Sequence, residues 1–271
     1  MNLIRYRDSE GRSGYAAERE GVHYKIEGDI YGHYALSGAR AEVATLLAPV
    51  EPAAILCVGL NYRKHAEETG AKIPKYPVLF MKSPAAVQRP DGPIEIPLHL
   101  ASTQVDYEGE LAVVIGKPCK NVSRAHALDY VLGYTCANDV SARDWQKERG
   151  GSQWCRGKTF DTFCPLGPRL LTPDEIRNPN ALRIRTCVNG EVLQDSNTVD
   201  MIFDIPTLIE FLSGSTTLLP GTVILTGTPS GVGMARNPPR WLAPGDEVIV
   251  DIEQIGQLRN RVILEGGQVD D

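Results

Sequence analysis

The stretch DYEGELAVVIG (residues 106–116) decides the fold, because it reads as a buried β-strand that starts with an acidic motif. Side chains alternate between the two faces of a strand, so Glu108 and Glu110 project to the same face. At a separation of roughly 7 Å and an effective dielectric of about 20, two carboxylates repel each other by on the order of 2 kcal/mol. The pattern therefore predicts a positive group between them.

Length and composition indicate one large core, or one core with a small appendage. The chain has 271 residues, of which 42% are hydrophobic, and this excludes a disordered chain. Acidic residues outnumber basic residues by 34 to 28, and no cluster of Lys and Arg is interleaved with aromatic residues. We therefore expect a small-molecule partner and no nucleic acid.

No segment of the sequence resembles a secretion signal or a membrane span. The opening residues MNLIRYRDSEG soon turn charged, and no apolar run approaches the ~20 residues that cross a bilayer. We expect a cytoplasmic protein without membrane contact. The six cysteines form no CxxC pair, so reduced and mostly buried thiols are expected. The five histidines form no HExxH or HxH pattern, which disfavours zinc and leaves a harder metal open.

The order of apolar and polar residues favours an α+β fold dominated by strands. Residues 1–48 alternate in short stretches typical of hairpins, and we interpret them as a small N-terminal β domain. Residues 49–271 form the second and larger domain. Its strands do not alternate regularly with helices, which disfavours a doubly wound sheet.

Three short helices and one clear hairpin are predicted within the larger domain. The helices are expected in residues 63–70, in residues 123–134 with Ser123 as the N-cap, and in residues 205–213. The Asn-Gly pair at residues 189–190 is the strongest short hairpin signal in the sequence.

Three carboxylates from two apolar strands form the first candidate site. Asp139 follows the second of these strands, in CANDVSARDWQ, and joins Glu108 and Glu110. Together they make an all-oxygen, negatively charged site that suits Mg²⁺ or Mn²⁺ better than zinc. The alternative is a solvated acidic strand face.

Two further segments carry candidate catalytic residues. In GLNYRKHAEETG, His65 and Glu68 lie one helical turn apart, so the carboxylate can orient the imidazole and raise its basicity. Such a pair can activate water, although a surface pair has the same spacing. Lys158 stands alone in the apolar segment GKTFDTFCPLGP, and it is expected to face an anion unless it is a surface lysine.

The stretch TVILTGTPSGVG (residues 222–233) reads as a strand followed by a Gly-rich loop. Its backbone amides could hold a carboxylate. It matches neither the P-loop nor GxGxxG, so nucleotide binding is not supported. Lys82, Arg143 and Gln146 are further polar candidates for contacting a substrate.

Eight segments, taken together and in order, closely resemble the fumarylacetoacetate hydrolase family. They run from about residue 54 to residue 264 and read VGLNYRKHAEE, LFMKSP, DYEGELAVVIG, GYTCANDVSARDWQ, GKTFDTFCPLGP, VNGEVLQDSNT, LTGTPSGVG and PGDEV. DVSARDWQ and GKTFDTFCPLGP look most like the branch of the fumarylacetoacetate hydrolase domain-containing proteins and their bacterial relatives. The resemblance implies a mixed β-roll or sandwich with short flanking helices.

The same resemblance implies a role for each candidate residue. The three carboxylates match the family's metal ligands, with Mg²⁺ or Mn²⁺ expected and Ca²⁺ also compatible. His65 and Glu68 match a water-activating pair on a mobile lid, and Lys158 matches the active-site lysine. Thr228 matches the loop residue that touches the substrate carboxylate. Family members similar to this chain are commonly homodimers, so a homodimer is expected.

The resemblance fixes the chemistry better than the substrate, because the common element is a 2-oxo acid held at the metal. We expect a 2-oxo acid substrate and, first, hydrolysis of a C–C bond in an acylpyruvate-type β-diketo acid. His65 would activate water for that reaction, and Lys158 would stabilise the oxyanion. The alternatives are an oxaloacetate tautomerase or decarboxylase, an isomerase of hydroxymuconate-like diacids, and a non-catalytic metal-binding protein.

Overall fold

The computed structural model describes residues 1–268 and confirms an α+β architecture dominated by strands. The strands are β1 (Asn2–Arg7), β2 (Ser13–Arg19), β3 (Val22–Gly28), β4 (Tyr34–Arg40), β5 (Thr45–Leu47), β6 (Ala54–Gly59), β7 (Val78–Lys82), β8 (Val87–Gln88), β9 (Ile94–Ile96), β10 (Val105–Asp106), β11 (Gly109–Ile115), β12 (Val131–Asn138), β13 (Ser141–Ala142), β14 (Cys164–Leu171), β15 (Arg183–Val188), β16 (Glu191–Asn197), β17 (Thr222–Leu225), β18 (Glu247–Ile252) and β19 (Gly256–Leu264).

Helices are short and few in the described part of the chain. The α-helices are α1 (Arg63–Glu68), α2 (Cys155–Lys158) and α3 (Ile205–Ser213). The 3₁₀ helices span Pro84–Ala86, Arg124–Tyr130, Pro179–Ala181, Thr198–Asp200 and Gly233–Ala235, and a π-helix spans Trp145–Arg149.

Most of the strands join one large sheet. Its main path has the order β4-β3-β2-β1-β14-β12-β11-β17-β6-β7, with β5 paired to β1 and β8 paired to β14. A second sheet has the order β16-β15-β18-β19-β9, and β10 pairs with β13. The Asn-Gly turn at residues 189–190 joins β15 to β16, as the sequence predicts.

The N-terminal strands extend the large sheet. Hairpins join β1 to β2, β2 to β3 and β3 to β4, as expected from the alternating pattern. β1 also pairs with β14 of the larger unit, where Leu3 lies opposite Leu170. The two predicted domains therefore share one sheet, and the boundary near residue 48 stays a prediction.

The segment predicted as a helix at residues 123–134 differs from expectation in three ways. It is a 3₁₀ helix that ends at Tyr130, residues 131–134 belong to β12, and the Ser123 side chain makes no capping hydrogen bond. Instead the Arg124 N–H donates to the Glu210 carboxylate of α3 at 3.0 Å. A neighbouring helix thus supplies the acceptor that the expected N-cap would have given.

Most of the stretch DYEGELAVVIG (residues 106–116) forms strand β11, which is buried on both faces. In β11, Leu111 and Ile115 belong to one apolar cluster, whereas Ala112 and Val114 belong to another. Alternation places Glu108 and Glu110 on the Ala112 face, where the functional site lies.

The cysteines agree with the expectation of reduced and mostly buried thiols. All six cysteines are unpaired, and four of them are buried. Within residues 1–268, every helix is too short or too polar to cross a membrane.

Candidate active site

The pairing of β11 with β12 brings the three predicted metal ligands together. Glu110 lies in β11 opposite Ala137 of β12. Glu108 and Asp139 flank the ladder, and the Asp139 N–H donates a 2.8 Å hydrogen bond to the Glu108 carbonyl. The Asn138 side chain accepts a bond from the Glu108 N–H at 3.0 Å. Two neighbouring strands thus hold all three carboxylates at one end of their ladder.

The three carboxylates are close enough to share one ion. Oxygens of Glu108, Glu110 and Asp139 lie within 4.8 Å of one another, and the residues are only 5%, 2% and 0% exposed. An ion with oxygen ligands at ~2.1 Å separates opposite ligands by about 4 Å, so a small adjustment suffices. The residues fit a hard divalent cation, and the alternative of a solvated strand face is wrong.

Buried cations pair with two of the three carboxylates. The Lys158 Nζ lies 2.6 Å from a Glu108 oxygen and 2.7 Å from an Asp139 oxygen. The Arg143 Nη2 lies 2.6 Å from the other Glu108 oxygen. Burial opposes ionisation of Glu108, but the charges of Arg143 and Lys158 outweigh it and hold the pKa of Glu108 well below its usual value. Lys158 therefore faces anions, as expected, and these are carboxylates of the protein.

Lys82 lies outside the cavity, which corrects its expected contact with a substrate. Its Nζ donates to the carbonyls of Val140 at 3.0 Å, Lys158 at 2.5 Å and Phe163 at 2.8 Å. It also lies 2.7 Å from Asp139 Oδ1, and its side chain has no exposed surface. These four oxygens surround the ammonium group, so Lys82 holds Asp139 in place from within the protein.

Glu110 differs from the other two carboxylates in its surroundings. Among residues 1–268, no Lys, Arg or His forms an ion pair with it, and the Gly227 N–H is its hydrogen-bond donor, at 2.7 Å. Burial raises the pKa of Glu110 well above its usual value, and the charges of Asp139 and Glu108 add to this effect. The cationic side chains of this cluster thus pair with Glu108 and Asp139, and a positive group between the two glutamates stays a prediction.

Asp106 extends the acidic motif, and the sequence reasoning missed it. Its carboxylate accepts the N–H groups of residues 233 and 234 and a 2.9 Å bond from Arg143 Nε. Arg143 therefore bridges Asp106 and Glu108, and its Nη1 donates to Gln146 at 2.9 Å. The signal was available, because Asp106 alternates in step with the two glutamates.

His65 and Glu68 meet on α1, as their spacing predicts. The His65 Nδ1 lies 2.7 Å from a Glu68 oxygen, and the other Glu68 oxygen accepts the Gly231 N–H at 2.9 Å. A carboxylate only accepts hydrogen bonds, so Nδ1 carries the proton between them, and in the neutral imidazole Nε2 is then the atom that can accept a proton. The side chains are 9% and 22% exposed, which places the pair at the mouth of the cavity.

Asn61 anchors the start of α1, and the sequence reasoning missed it as well. It is fully buried and donates to the carbonyls of Thr226 at 2.7 Å and Phe203 at 3.0 Å. It also accepts the Phe203 N–H at 2.8 Å. These bonds tie the helix that carries His65 to the Gly-rich loop.

The Gly-rich loop holds carboxylates through its amides, as predicted, but they belong to the protein. The Gly227 N–H binds Glu110, and the Gly231 N–H binds Glu68. Gly227 has φ +101°, and a Cβ there would lie 2.7 Å from the Asn61 Cβ. This position therefore requires glycine.

Thr228 lines the cavity with a hydroxyl that is already engaged. Its Oγ1 donates to the Gly109 carbonyl at 3.0 Å and accepts a bond from Gln194 at 2.8 Å. Gln194 also accepts the Gly109 N–H at 3.0 Å. The hydroxyl thus locks the loop to β11, and its expected contact with a substrate carboxylate stays a prediction.

One cavity of 240 Å³ joins the carboxylate cluster to the histidine. Most of the predicted site residues line it: His65, Glu108, Glu110, Asp139, Arg143, Gln146, Lys158 and Thr228. Glu68 is not part of the lining and hydrogen-bonds to His65, which is. Lys147 and Trp154 also line the cavity, and nothing in the sequence pattern singled them out.

Comparison with known proteins places the chain among proteins of one family. Residues 54–263 match the family model described as fumarylacetoacetate (FAA) hydrolase C-terminal. The chain is 50% identical over 220 residues to the mitochondrial oxaloacetate tautomerase fahd2 of Xenopus laevis, which covers 81% of this chain and 68% of that protein.

Solved structures of two bacterial proteins share the whole fold. A 5-carboxymethyl-2-hydroxymuconate delta-isomerase of Mycobacterium smegmatis superposes with a TM-score of 0.86 at 40% identity, covering 98% of this chain and 100% of that one. A fumarylacetoacetate hydrolase of Exiguobacterium antarcticum gives a TM-score of 0.87 at 36% identity, with coverage of 98% and 100%.

Proposed function

Because this chain belongs to the fumarylacetoacetate hydrolase family, we propose that it is a metal-dependent tautomerase that interconverts the keto and enol forms of a 2-oxo diacid such as oxaloacetate. The observation that carries the proposal is that His65, whose Nδ1 is hydrogen-bonded to Glu68, lines the same cavity as the carboxylate cluster. Relatives named as an oxaloacetate tautomerase and a hydroxymuconate isomerase support this reaction. Acylpyruvate hydrolysis, the first expectation from the sequence, has less support.

The buried charges around the cavity favour a divalent cation. Three carboxylates alternate with three cations along one chain of ion pairs, which runs through Asp106, Arg143, Glu108, Lys158, Asp139 and Lys82. Glu110 is outside this chain, and its raised pKa favours its neutral form when no cation is near. Glu108, Glu110 and Asp139 would hold a Mg²⁺ or Mn²⁺ ion. With the Glu110 proton lost, four carboxylates, three cationic side chains and a divalent ion would sum to one positive charge, which favours an anionic substrate. When bound, the ion would withdraw electron density from the keto group and make the C3 proton more acidic.

His65 is the proposed base in the tautomerisation. Glu68 accepts the Nδ1–H and thereby orients the ring so that Nε2 is the proton acceptor of the neutral imidazole, and the Gly231 N–H keeps Glu68 in place. Nε2 removes a proton from C3, and the imidazolium returns it to solvent while the C2 oxygen gains a proton. No water attacks a carbon atom in this reaction, which separates it from hydrolysis.

The proposed reaction is tested by following the C3 protons of oxaloacetate in D₂O by NMR. We expect exchange well above the rate without protein when Mg²⁺ or Mn²⁺ is present, and loss of that exchange with EDTA. Parallel samples measure cleavage of acylpyruvates and release of pyruvate from oxaloacetate. Faster acylpyruvate cleavage would favour the hydrolase, faster pyruvate release the decarboxylase, and no metal-dependent turnover would contradict an enzyme of this class.

A further inference from the structure

Lys147 is the cationic residue of the cavity lining that has no anionic partner among residues 1–268. The cationic or basic side chains of the lining are His65, Arg143, Lys147 and Lys158. Arg143 and Lys158 contact buried carboxylates, and His65 is held by Glu68. No described carboxylate forms an ion pair with Lys147, whose side chain is exposed. A negatively charged ligand in the cavity therefore meets one cation that is not already paired.

The backbone that leads into Lys147 is held by contacts of the residues just before it. Asp144 is 4% exposed, and its carboxylate accepts the Trp145 N–H at 2.9 Å and the Ser102 hydroxyl at 2.7 Å. Gln146, the residue before Lys147, is buried and bonded to Arg143. A long side chain on a backbone held in this way can move its ammonium group toward a ligand while its stem stays in place.

We propose that Lys147 binds the substrate carboxylate that is remote from the keto group, and so selects 2-oxo diacids over 2-oxo monoacids. This inference rests on the proposed function. A 2-oxo diacid has one carboxylate beside its keto group and a second at its far end. The carboxylate beside the keto group lies next to the oxygen that the metal site would polarise. Leu60, Phe80 and Trp154 form apolar parts of the lining and offer no charge to the other carboxylate. Lys147 is then the cation available to the second carboxylate.

The selection is tested with a ligand pair that differs in one charge, oxaloacetate and its 4-methyl ester. Lys147→Met keeps the stem and removes the charge, and Lys147→Arg keeps the charge. For C3 exchange, we expect Lys147→Met to raise KM for oxaloacetate about tenfold with a much smaller change in kcat, as for loss of one charge-assisted contact. The preference for the diacid over the ester should fall by the same factor, and Lys147→Arg should restore most of it. Lys120→Met, which removes an exposed charge outside the cavity lining, is the control.

A binding measurement separates this inference from the tautomerase itself. Difluoro-oxaloacetate with both fluorines on C3 has no proton to lose, so its affinity, measured by calorimetry with Mg²⁺ present, reports binding alone. We expect Lys147→Met to bind it about tenfold more weakly and to discriminate little against its methyl ester. Equal binding of both ligands by the wild type, or an unchanged preference in Lys147→Met, would overturn the assignment. Selective diacid binding without C3 exchange would contradict the tautomerase and leave Lys147 as the selecting residue.

Discussion

The floor and the mouth of the cavity are built in opposite ways. At the floor, Glu108 and Asp139 each contact two cationic side chains, and all of these groups are buried. At the mouth, His65 uses one ring nitrogen for Glu68, and Lys147 has no described anionic partner. A fully bonded floor fixes positions, whereas a partly bonded mouth can exchange protons and ligands. The difference agrees with the proposed roles, metal binding at the floor and proton transfer at the mouth.

The largest effect on stability is expected when Lys82, which holds Asp139 in place from within the protein, loses its charge. Lys82→Met leaves Asp139 Oδ1 and three carbonyls without the Lys82 ammonium group, while Asp139 Oδ2 keeps Lys158. Breaking a buried pair in this way should lower the free energy of unfolding by about 3–5 kcal/mol, measured by urea denaturation. The control Arg183→Met breaks a pair with Asp195 whose side chains are 56% and 45% exposed, and it should lose about 1 kcal/mol or less. Equal losses in the free energy of unfolding of the two variants would contradict the stabilising role of Lys82 at the floor.

The next largest effect separates metal binding by the carboxylate cluster from the stability of the protein. Glu110→Gln removes a buried carboxylate that has no described cationic partner, so the metal-free variant should unfold at the same temperature as the wild type or higher. Its Mg²⁺ affinity, measured by calorimetry, should fall by about 100-fold or more. Mg²⁺ should then raise the unfolding temperature of the wild type but not of the variant.

Glu191→Gln is the matched control for that experiment, because Glu191 is exposed at the start of β16. It should bind Mg²⁺ like the wild type. A Glu110→Gln protein with undiminished Mg²⁺ affinity would show that the carboxylate cluster is not the metal site.

The smallest of these effects concerns the support of the base at the mouth. Glu68→Gln replaces the carboxylate on His65 Nδ1 by a neutral amide, so the C3 exchange rate should fall by about 10- to 100-fold. Mg²⁺ affinity and urea stability should stay unchanged, because Glu68 does not contact the floor. Glu67→Gln, on the same helix and exposed, should change none of the three quantities. A loss of Mg²⁺ affinity in Glu68→Gln would place the residue in the metal site instead.

The sequence predicts those parts of the site that depend on local periodicity. Alternation in β11 is enough to place Glu108 and Glu110 on one face, and the helical turn is enough to join His65 to Glu68. Asp106 follows the same alternation, so the same pattern also indicates Asp106 as part of the acidic motif. The family resemblance, confirmed over residues 54–263, added the connection between these segments.

Contacts between distant segments could not be predicted in this way. Lys82 reaches carbonyls 58 and 81 residues further along the chain, and Asn61 binds the Phe203 backbone 142 residues away. Capping of residues 124–130 by Glu210 depends on the packing of α3 for the same reason. The homodimer and the cytoplasmic location stay predictions.

The division between a metal-binding floor and a proton-moving mouth is tested most directly by C3 exchange of oxaloacetate with His65→Gln at saturating Mg²⁺. Because the amide that replaces the imidazole offers no base, the exchange rate should fall by about 10²- to 10⁴-fold, while Mg²⁺ affinity in the same preparation stays at the wild-type value. Exchange at the wild-type rate, or loss of Mg²⁺ binding together with exchange, would contradict this division.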